Sequence, residues 1–313
     1  MTNAHAASAP AAVELVSVSK SYDDVAAVTA LSFAVTRGQI FSLLGPNGAG
    51  KTSTLRMMVG ITMPDGGEVR LFGQPFDRRN LARVGYLPEE RGLYRRMTAL
   101  ANLVFLGQLN GLGAREARAR ATAWAERLGV AQWMERKVEE LSKGMQQKMQ
   151  FIAAVLHEPD LLIMDEPFAG LDPVNSVQLK DVLLELKNSD RAILFSTHRM
   201  EQVEKLSDAI CLLDRGRAVL SGSLREIKGR YGKRFVQIEY EGDGRLLAAH
   251  PTVESATDYG NYAELRLRPG ADAQQLLREV APRLRISRFE VMEPSLEHIF
   301  IDAVTKGDGN ARA

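Results

Sequence analysis

The stretch of sequence that decides the fold is Gly45-Pro46-Asn47-Gly48-Ala49-Gly50-Lys51-Thr52, which matches the phosphate-binding loop pattern G-x-x-x-x-G-K-[ST]. A buried-type strand from Gln39 to Leu44 precedes it, and a predicted helix from Thr52 to Val59 follows it. Glycines let the chain curl so that consecutive backbone N–H groups point at phosphate oxygens, and the helix N-terminus adds partial positive charge. We therefore predict that the loop and Ser53 bind the phosphates of a nucleotide. In that site Lys51 would neutralise the β- and γ-phosphates, and the Thr52 hydroxyl would ligate Mg²⁺.

Length and composition are those of an ordinary globular protein. The chain has 313 residues, which corresponds to about two domains, with 45% hydrophobic and 25% charged residues. Lys and Arg total 40 against 39 Asp and Glu, so the net charge of +1 gives no support to a strongly basic nucleic-acid binder. Cys211 is the only cysteine in the sequence, which excludes an intramolecular disulfide and any Cys-x-x-Cys site.

Predicted strands alternate with helices from Val13 to Tyr231, which is typical of a mainly parallel sheet covered on both faces. Residues 90–157 interrupt the alternation with a stretch rich in Ala, Arg and Glu, where we expect a helical subdomain. Residues 1–12 lack the basic start and apolar core of a secretory signal, so we expect a disordered tail there. No apolar run approaches the ~20 residues that cross a bilayer.

The pattern changes after Tyr231. Alternating strands are predicted at Phe235–Tyr240, Ala263–Arg268 and Arg285–Met292, with a helix at Ala273–Leu284 and a last helix from Leu296 that Ser295 caps. We therefore expect a small α+β domain over residues 232–306, followed by a tail over residues 307–313. The fold class predicted for the chain is an α/β domain over residues 13–231 with this α+β domain after it.

A second chemical segment is Leu161-Leu162-Ile163-Met164-Asp165-Glu166-Pro167, a buried-type strand that ends in two carboxylates. The carboxyl end of a parallel strand lies beside the phosphate loop, where Asp165 is placed to hold Mg²⁺. Glu166 is placed to polarise an attacking water. Two acids at a strand end are usually an ordinary solvated pair, but the phosphate loop upstream favours the Mg²⁺ and general-base roles.

Further segments lie in the order found in one protein family. Leu141-Ser142-Lys143-Gly144-Met145-Gln146-Gln147-Lys148 resembles the L-S-G-G-Q signature of ABC ATPases, and Phe168-Ala169-Gly170-Leu171-Asp172-Pro173 resembles their D-loop. Ser196-Thr197-His198 supplies the switch histidine, and Lys20-Ser21-Tyr22 supplies an aromatic residue upstream of the phosphate loop. The resemblance spans Val13 to Tyr231, so we expect an ABC ATPase cassette with a mixed, mainly parallel sheet and a helical subdomain.

The resemblance implies hydrolysis of Mg²⁺-bound ATP in a head-to-tail dimer of two cassettes. The signature of one copy would contact the γ-phosphate held by Lys51 of the other copy, because a serine hydroxyl and backbone amides at a helix start suit that contact. The family's roles fall on Tyr22 for adenine stacking, Ser142, Lys143, Gly144 and Met145 for the signature contact, Asp172 for the D-loop, and Glu166 and His198 for catalysis.

Three positions depart from the family pattern. In the signature, Lys143 stands where a glycine is usual and Met145 stands at the glutamine position. In the segment that resembles the Q-loop, Glu89 replaces the usual glutamine, so a full negative charge is expected near Mg²⁺ and the phosphates. The alternative is that Glu89 points into solvent and is neutralised by Arg91 or Arg95.

Together these features resemble the drug- and sodium-exporter branch of bacterial ABC ATPases, some of which carry a small C-terminal domain. The resemblance implies an ATP-hydrolysing subunit on the cytoplasmic face of the membrane. There it would work with a second copy and drive a separate transmembrane permease, which would dock on the Q-loop and the helical segment after it. No nucleic acid is expected as a partner.

Two other functions remain open at this point. A soluble ABC-type ATPase acting on ribosomes or DNA is disfavoured, because the chain carries a single cassette. Only about 90 residues without sustained heptads separate the phosphate loop from the signature, too few for a long coiled coil. The third possibility is a mainly regulatory protein whose C-terminal domain senses a ligand, although residues 235–306 show no recognisable pocket motif.

Overall fold

The computed structural model describes residues 11–90, 92–231, 234–301 and 303 of the chain. It divides into two compact units between Gly222 and Ser223. The sequence predicts a boundary after Tyr231, whereas this division places the helix Leu224–Tyr231 in the second unit. The predicted tail 307–313 and the first ten residues of the predicted tail 1–12 lie outside the described residues.

The first unit alternates strands with helices, as predicted. Its strands are β1 (Val13–Tyr22), β2 (Val25–Val35), β3 (Ile40–Leu44), β4 (Gly66–Leu71), β5 (Gln74–Pro75), β6 (Val84–Leu87), β7 (Leu161–Asp165), β8 (Ala192–Thr197), β9 (Ala209–Asp214) and β10 (Arg217–Ser223). Its α-helices are α1 (Lys51–Met58), α2 (Ala99–Leu109), α3 (Ala114–Arg127), α4 (Lys143–Val155), α5 (Pro173–Asn188) and α6 (Met200–Leu206).

A six-stranded sheet forms the centre of this unit, in the order β10-β9-β3-β8-β7-β6. The β3 strand pairs in parallel with β8 and β9, and β7 pairs in parallel with β6 and β8. Every residue of β3 and β7 is buried, as expected for strands covered on both faces. Since β8 lies between β3 and β7 and the three strands are parallel, the loops that follow them meet at the carboxyl-terminal end of the sheet.

A second sheet, in the order β2-β1-β4-β5, is antiparallel, so the unit has the mixed sheets of the predicted fold class. Its ordered chain begins earlier than the sequence indicates. Ala12, predicted to lie in the disordered tail, is buried, and its N–H donates to the carbonyl of Val35 at 2.8 Å. Its own carbonyl accepts from the N–H of Phe72 at 2.9 Å, which ties the start of β1 to the sheet.

The described residues between β6 and β7 form helices and turns, in the region where a helical subdomain is predicted. On α3 the buried positions are Ala117, Ala121 and Ala125, one face at a spacing of four residues. Thr98 caps α2 by accepting the N–H of Ala101 at 3.2 Å. Within the described part of the chain, no helix combines the length and the apolar character that a membrane span requires.

The second unit is the α+β domain that the sequence predicts. Four antiparallel strands form its sheet in the order β12-β13-β11-β14, with a core of aliphatic side chains. Its elements are α7 (Leu224–Tyr231), β11 (Phe235–Glu241), α8 (Arg245–Ala248), β12 (Val253–Asp258), β13 (Tyr262–Leu267), α9 (Ala273–Val280) and β14 (Arg285–Met292), and residues 296–301 are helical.

Two details of this unit differ from the prediction. The sequence predicts three strands, but Val253–Asp258 forms a fourth strand whose polar sequence lacks a clear alternation. The helix predicted at Ala273–Leu284 ends at Val280, because Pro282 has no N–H with which to continue the helical hydrogen bonds. The cap predicted at the last helix is present, since the Ser295 hydroxyl accepts the N–H of His298 at 3.3 Å.

Candidate active site

The phosphate loop lies between β3 and α1 and depends on two glycines. A Cβ atom on Gly45 would lie 2.3 Å from the carbonyl oxygen of Leu213, and one on Gly50 would lie 2.3 Å from that of Ala27. Both distances are too short for any other residue, so strands β9 and β2 hold the loop from two sides. Gly50 also has a φ of 100°, which favours glycine at the start of α1.

Lys51 is folded against the loop. Its Nζ atom donates to the carbonyl oxygens of Gly45 at 2.8 Å and Pro46 at 3.0 Å. The side chain is buried, and burial lowers the pKa of its ammonium group, whereas the carboxylates of Glu166 and Asp165 act in the opposite direction. A desolvated ammonium group in this position is suited to a ligand that brings negative charge.

One cleft of about 290 Å³ brings the predicted phosphate and metal residues together. In its lining, residues of the phosphate loop, the β7 carboxylates and Glu89 converge on the same space. The predicted residues that line it are Asn47, Gly48, Gly50, Lys51, Thr52, Ser53, Glu89, Asp165 and Glu166.

A left-handed backbone conformation at Glu166 brings the carboxylates of both Asp165 and Glu166 into this cleft. Successive side chains of an extended strand point to opposite faces of the sheet. Glu166 leaves β7 with a φ of +47°, a left-handed conformation that is uncommon for a residue with a Cβ. This turn breaks the alternation, so that Asp165 and Glu166 line the same space.

Asp165 has an oxygen available for a metal-bound water. Its Oδ1 atom accepts from the hydroxyl of Ser196, whereas its Oδ2 atom is buried and has no hydrogen-bond partner among the described residues. Those residues contain no cluster of three or more His, Cys, Asp or Glu side chains that would hold a metal by themselves. The Thr52 hydroxyl, the Asp165 carboxylate and substrate phosphates are a donor set of the kind that Mg²⁺ takes.

Glu166 is paired with His198. The Oε1 atom of Glu166 lies 2.8 Å from Nδ1 of the imidazole, and the backbone N–H of Glu166 donates to the Ser196 hydroxyl at 3.0 Å. The Glu166 side chain is 11% exposed and that of His198 is 52% exposed, so the histidine lies at the mouth of the site. A carboxylate acceptor places the proton on Nδ1, which leaves Nε2 of a neutral ring as an acceptor.

Glu89 lines the same cleft, although its side chain is exposed. No ion pair of Glu89 with Arg95 or another cation occurs among the described residues, and Arg91 lies outside them. The neighbouring Glu90 is the residue that faces a cation, with Oε1 at 4.0 Å from the Arg56 guanidinium.

The signature and the D-loop line a different cleft, of about 430 Å³. Ser142 caps α4 by accepting the N–H of Met145 at 3.3 Å, and Asp172 caps α5 by accepting the N–H of Asn175 at 2.8 Å. Gly144 lies against the D-loop, since a Cβ there would be 3.6 Å from the Gly170 carbonyl oxygen. The predicted residues that line this cleft are Ser142, Lys143, Gly144, Met145 and Asp172.

A single chain does not bring all the predicted site residues together. The signature cleft shares no lining residue with the phosphate cleft. Tyr22 is also outside the lining of the phosphate cleft. The residue is 42% exposed, and the centre of its ring lies 5.7 Å from the Lys20 ammonium group.

The structure adds three positioning residues that sequence reasoning assigned no role. The Ser196 hydroxyl bridges Asp165 and the Glu166 backbone. Gln147 of α4 donates to the Pro167 carbonyl, and Gln150 donates to the Glu90 carbonyl, both at 3.1 Å. These bonds tie α4 to the loops that follow β7 and β6. For Gln147 and Gln150, the signal in the sequence was the presence of glutamines at the positions of an otherwise apolar helix face.

A glycine-lined phosphate loop, a strand-end carboxylate with a free oxygen and a glutamate–histidine pair define a P-loop ATPase. Comparison with known proteins then gives the family. The profile described as "ABC transporter" matches residues 28–169, and the profile described as "ATP-binding protein DrrA1-3-like, C-terminal domain" matches residues 222–304.

Proteins that align with most of this chain are also named as ATP-binding proteins of transport systems. The ABC transporter ATP-binding protein YhaQ of Bacillus subtilis is 44% identical over 92% of this chain and 96% of its own length. The Nod factor export ATP-binding protein I of Paraburkholderia xenovorans is 40% identical over 68% of this chain and 71% of its own length. A solved structure, described as the ATP binding subunit of an ABC transporter, superposes with a TM-score of 0.66 at 30% identity. It covers 70% of this chain and 93% of that chain.

The chain belongs to the ABC transporter ATP-binding family and is an ATPase. The predicted ABC cassette fold is confirmed, and the predicted small α+β domain is a C-terminal domain with an antiparallel sheet. ATP-binding subunits of this family work with transmembrane components and dimerise.

Proposed function

We propose that this protein is the ATP-hydrolysing subunit of a membrane exporter and drives a separate permease through an ATP-dependent, head-to-tail dimer. The observation that carries the proposal is the separation of the phosphate cleft from the signature cleft on one chain. Each cleft holds a different part of the predicted ATP contacts. A second copy, turned head to tail, supplies the signature half for the ATP bound by the first.

In this dimer each residue has a defined task. Lys51 and the loop amides bind the phosphates, and Thr52 and Asp165 would hold Mg²⁺, which neutralises developing phosphate charge when bound. Glu166 polarises the attacking water, and His198 orients the Glu166 carboxylate through the Nδ1 contact. Tyr22 stacks on adenine, and the Ser142 hydroxyl with the amide group of Gly144 contacts the γ-phosphate from the other copy.

Two likenesses support export as the direction of transport. A relative of 40% identity carries the name of a Nod factor export protein. The C-terminal unit matches the C-terminal domain of DrrA1-3-like ATP-binding proteins, and some members of the exporter branch that the sequence resembles carry a small C-terminal domain. We place the protein at the cytoplasmic face of the cell membrane, held there by its permease.

An apolar groove supports the permease as the partner. The groove, of about 380 Å³, lies between β6 and the helical segment, and Tyr86, Leu93 and Leu106 are among its lining residues. Pro88 lines this groove, whereas the next residue, Glu89, lines the phosphate cleft. A cytoplasmic segment of a permease seated here would therefore act on the residue adjacent to the nucleotide.

The proposal is tested by a search of the adjacent reading frames for a multi-span membrane protein, followed by coexpression of that protein with this chain. We expect the two proteins to purify as one complex whose ATPase activity in proteoliposomes exceeds that of the chain alone. Ala153→Arg, which fills the groove with a charge, should abolish the stimulation and leave the basal activity of the free chain intact. A chain that binds no membrane protein and instead sediments with ribosomes in an ATP-dependent manner would overturn the proposal.

Ser142→Ala should separate dimerisation from nucleotide binding. The variant keeps the phosphate cleft, so monomer ATP affinity should stay within about twofold of wild type, whereas ATP-driven dimerisation should weaken about tenfold, as one charge-assisted hydrogen bond per site is lost. Titration with a fluorescent ATP analogue and analytical ultracentrifugation measure the two quantities.

Thr98→Ala is the matched control, because it removes the equivalent cap of α2, outside both clefts. Loss of either cap costs about 1 kcal/mol of stability. Equal loss of dimerisation in both variants would assign the Ser142 effect to helix stability and contradict the two-sided site.

Glu89→Gln should change the Mg²⁺ requirement. The Glu89 carboxylate adds negative charge beside the phosphates and attracts the cation, so its neutralisation should raise the Mg²⁺ concentration for half-maximal ATPase activity by roughly three- to tenfold. Activity is measured by Mg²⁺ titration at fixed ATP, with Glu90→Gln as the control because Glu90 does not line the cleft. Superimposable curves for Glu89→Gln and wild type would leave Glu89 as a surface charge.

A further inference from the structure

The C-terminal sheet leaves β14 unpaired along one edge. In the order β12-β13-β11-β14, the last strand pairs only with β11. No backbone hydrogen bond joins Arg285–Met292 to any other segment of the described chain. Arg288, Glu290 and Val291 are exposed along this strand. An unpaired row of N–H and C=O groups is a template for pairing with another strand.

The charged side chains of β14 are complementary to those of a second, antiparallel copy of the same strand. Two identical strands in one sheet pair antiparallel about a two-fold axis perpendicular to the sheet. Residues that lie opposite each other must have side chains on the same face, and side chains alternate between faces along a strand. The two-fold axis therefore passes beside a single residue, which lies opposite its own copy. Centring on Arg288 opposes two arginines, and centring on Glu290 opposes two glutamates. Centring on Phe289 opposes Arg288 of each copy to Glu290 of the other.

The other edge strand of the sheet, β12, has no such charge complementarity to a second copy of itself. The charged residues of β12 are Glu254 and Asp258, and both are acidic. No antiparallel register of β12 with itself therefore places opposite charges together, and some registers oppose two carboxylates. Opposite-charge pairs across strands stabilise a sheet and like charges destabilise it.

We infer that two copies of this chain associate through their C-terminal domains, with β14 of one copy paired antiparallel to β14 of the other and Phe289 at the two-fold axis. The pairing joins two four-stranded sheets into one of eight strands. Arg288 already lies 3.5 Å from Glu239 on β11 and is also paired with Glu290 of its own strand, so Glu290 of a second copy would join an existing network of ion pairs. This contact needs no nucleotide and does not depend on the ATP-driven contact between the cassettes.

Cysteine cross-linking of the full chain, without nucleotide, tests the register. Residues opposite each other in an antiparallel pair have Cα atoms about 4.5–5.5 Å apart, which suits a disulfide, whereas residues two positions out of register do not. Phe289→Cys should therefore cross-link to itself. Arg288→Cys and Glu290→Cys should each fail alone and cross-link when mixed.

The natural cysteine does not interfere with this test. Cys211 is buried, and burial raises the pKa of its thiol to about 12, so it is not a reactive thiolate. Ser255→Cys on β12 serves as the control for random collision, since β12 is the other edge of the sheet. Cross-linking of Ser255→Cys at the rate of Phe289→Cys would contradict the inference.

A charge exchange tests the same contact without cysteine. Arg288→Glu leaves acidic residues at both positions, and Glu290→Arg leaves basic ones, so each variant alone opposes like charges at both pairs. Each should form the nucleotide-free dimer roughly tenfold more weakly than wild type. An equimolar mixture has opposite charges at both pairs and should recover wild-type dimerisation in sedimentation analysis.

The outcomes separate a pairing contact from a folding defect. Circular dichroism checks that each variant keeps its fold. Recovery on mixing supports the proposed register, because a damaged domain would not be repaired by a second damaged domain. Unchanged dimerisation of the single variants, or a mixture as weak as its components, would overturn it.

Discussion

Glu166→Gln should lower ATP hydrolysis by about 10²- to 10⁴-fold, the usual contribution of a general base. The amide keeps the size of the side chain and still accepts from Nδ1 of His198, but it does not take a proton from water. ATP affinity should change by less than about twofold, because the phosphate contacts of Lys51 and the loop are intact. Phosphate release and binding of an ATP analogue measure the two effects.

The same variant should accumulate the closed dimer. Because bound ATP is not consumed, size-exclusion chromatography with ATP and Mg²⁺ should show more dimer than with ADP. Glu90→Gln is the control, since Glu90 follows the Q-loop residue, is exposed and does not line the cleft. Hydrolysis by Glu166→Gln at a rate near that of wild type would remove Glu166 from the role of base.

Lys51→Ala should weaken nucleotide binding itself by about 10- to 100-fold, the effect of losing one or more hydrogen bonds to a charged group. The substitution removes the ammonium group that faces the phosphates, and it also releases the Gly45 and Pro46 carbonyls that Lys51 holds. Isothermal titration with ATP at constant ionic strength measures the loss.

Lys148→Ala provides the matched control for this substitution. Lys148 is likewise a lysine whose pKa burial lowers, and it donates to the Leu128 carbonyl at 2.7 Å. It lines the signature cleft rather than the phosphate cleft. Monomer ATP affinity should therefore be unchanged in Lys148→Ala, and an equal loss in both variants would show that burial, not position, explains the effect.

The sequence predicts the centre of the cassette well because β3 and β7 are short, mostly apolar and followed by segments with recognisable motifs. The observed bounds of β14 match the predicted Arg285–Met292, and β3 begins one residue after the start of the predicted strand Gln39–Leu44. The phosphate loop is fixed by local chemistry: glycines where backbones approach within a few ångströms, then a lysine at a helix start. The convergence of Asp165 with this loop follows from parallel strand order.

What the sequence does not predict arises from contacts between distant segments. β12 is polar and depends on pairing with β13 for its structure, so its own pattern carries no signal. The turn at Glu166 uses a residue type that rarely adopts a positive φ. The Ser196 bridge to Asp165 depends on the register between β7 and β8, which no local pattern encodes.

The contacts of α4 have a consequence for the coupling between ATP binding and the attachment of a permease. α4 presents Ser142 at its start to the signature cleft and Gln150 to the groove, and Gln147 and Gln150 bond it to the loops beside the nucleotide. Two ligands that bias one rigid element are thermodynamically linked, and the linkage is reciprocal. If ATP strengthens the attachment of a permease by some factor, the permease must strengthen the binding of ATP by the same factor. The strength of coupling in either direction is therefore one measurable quantity.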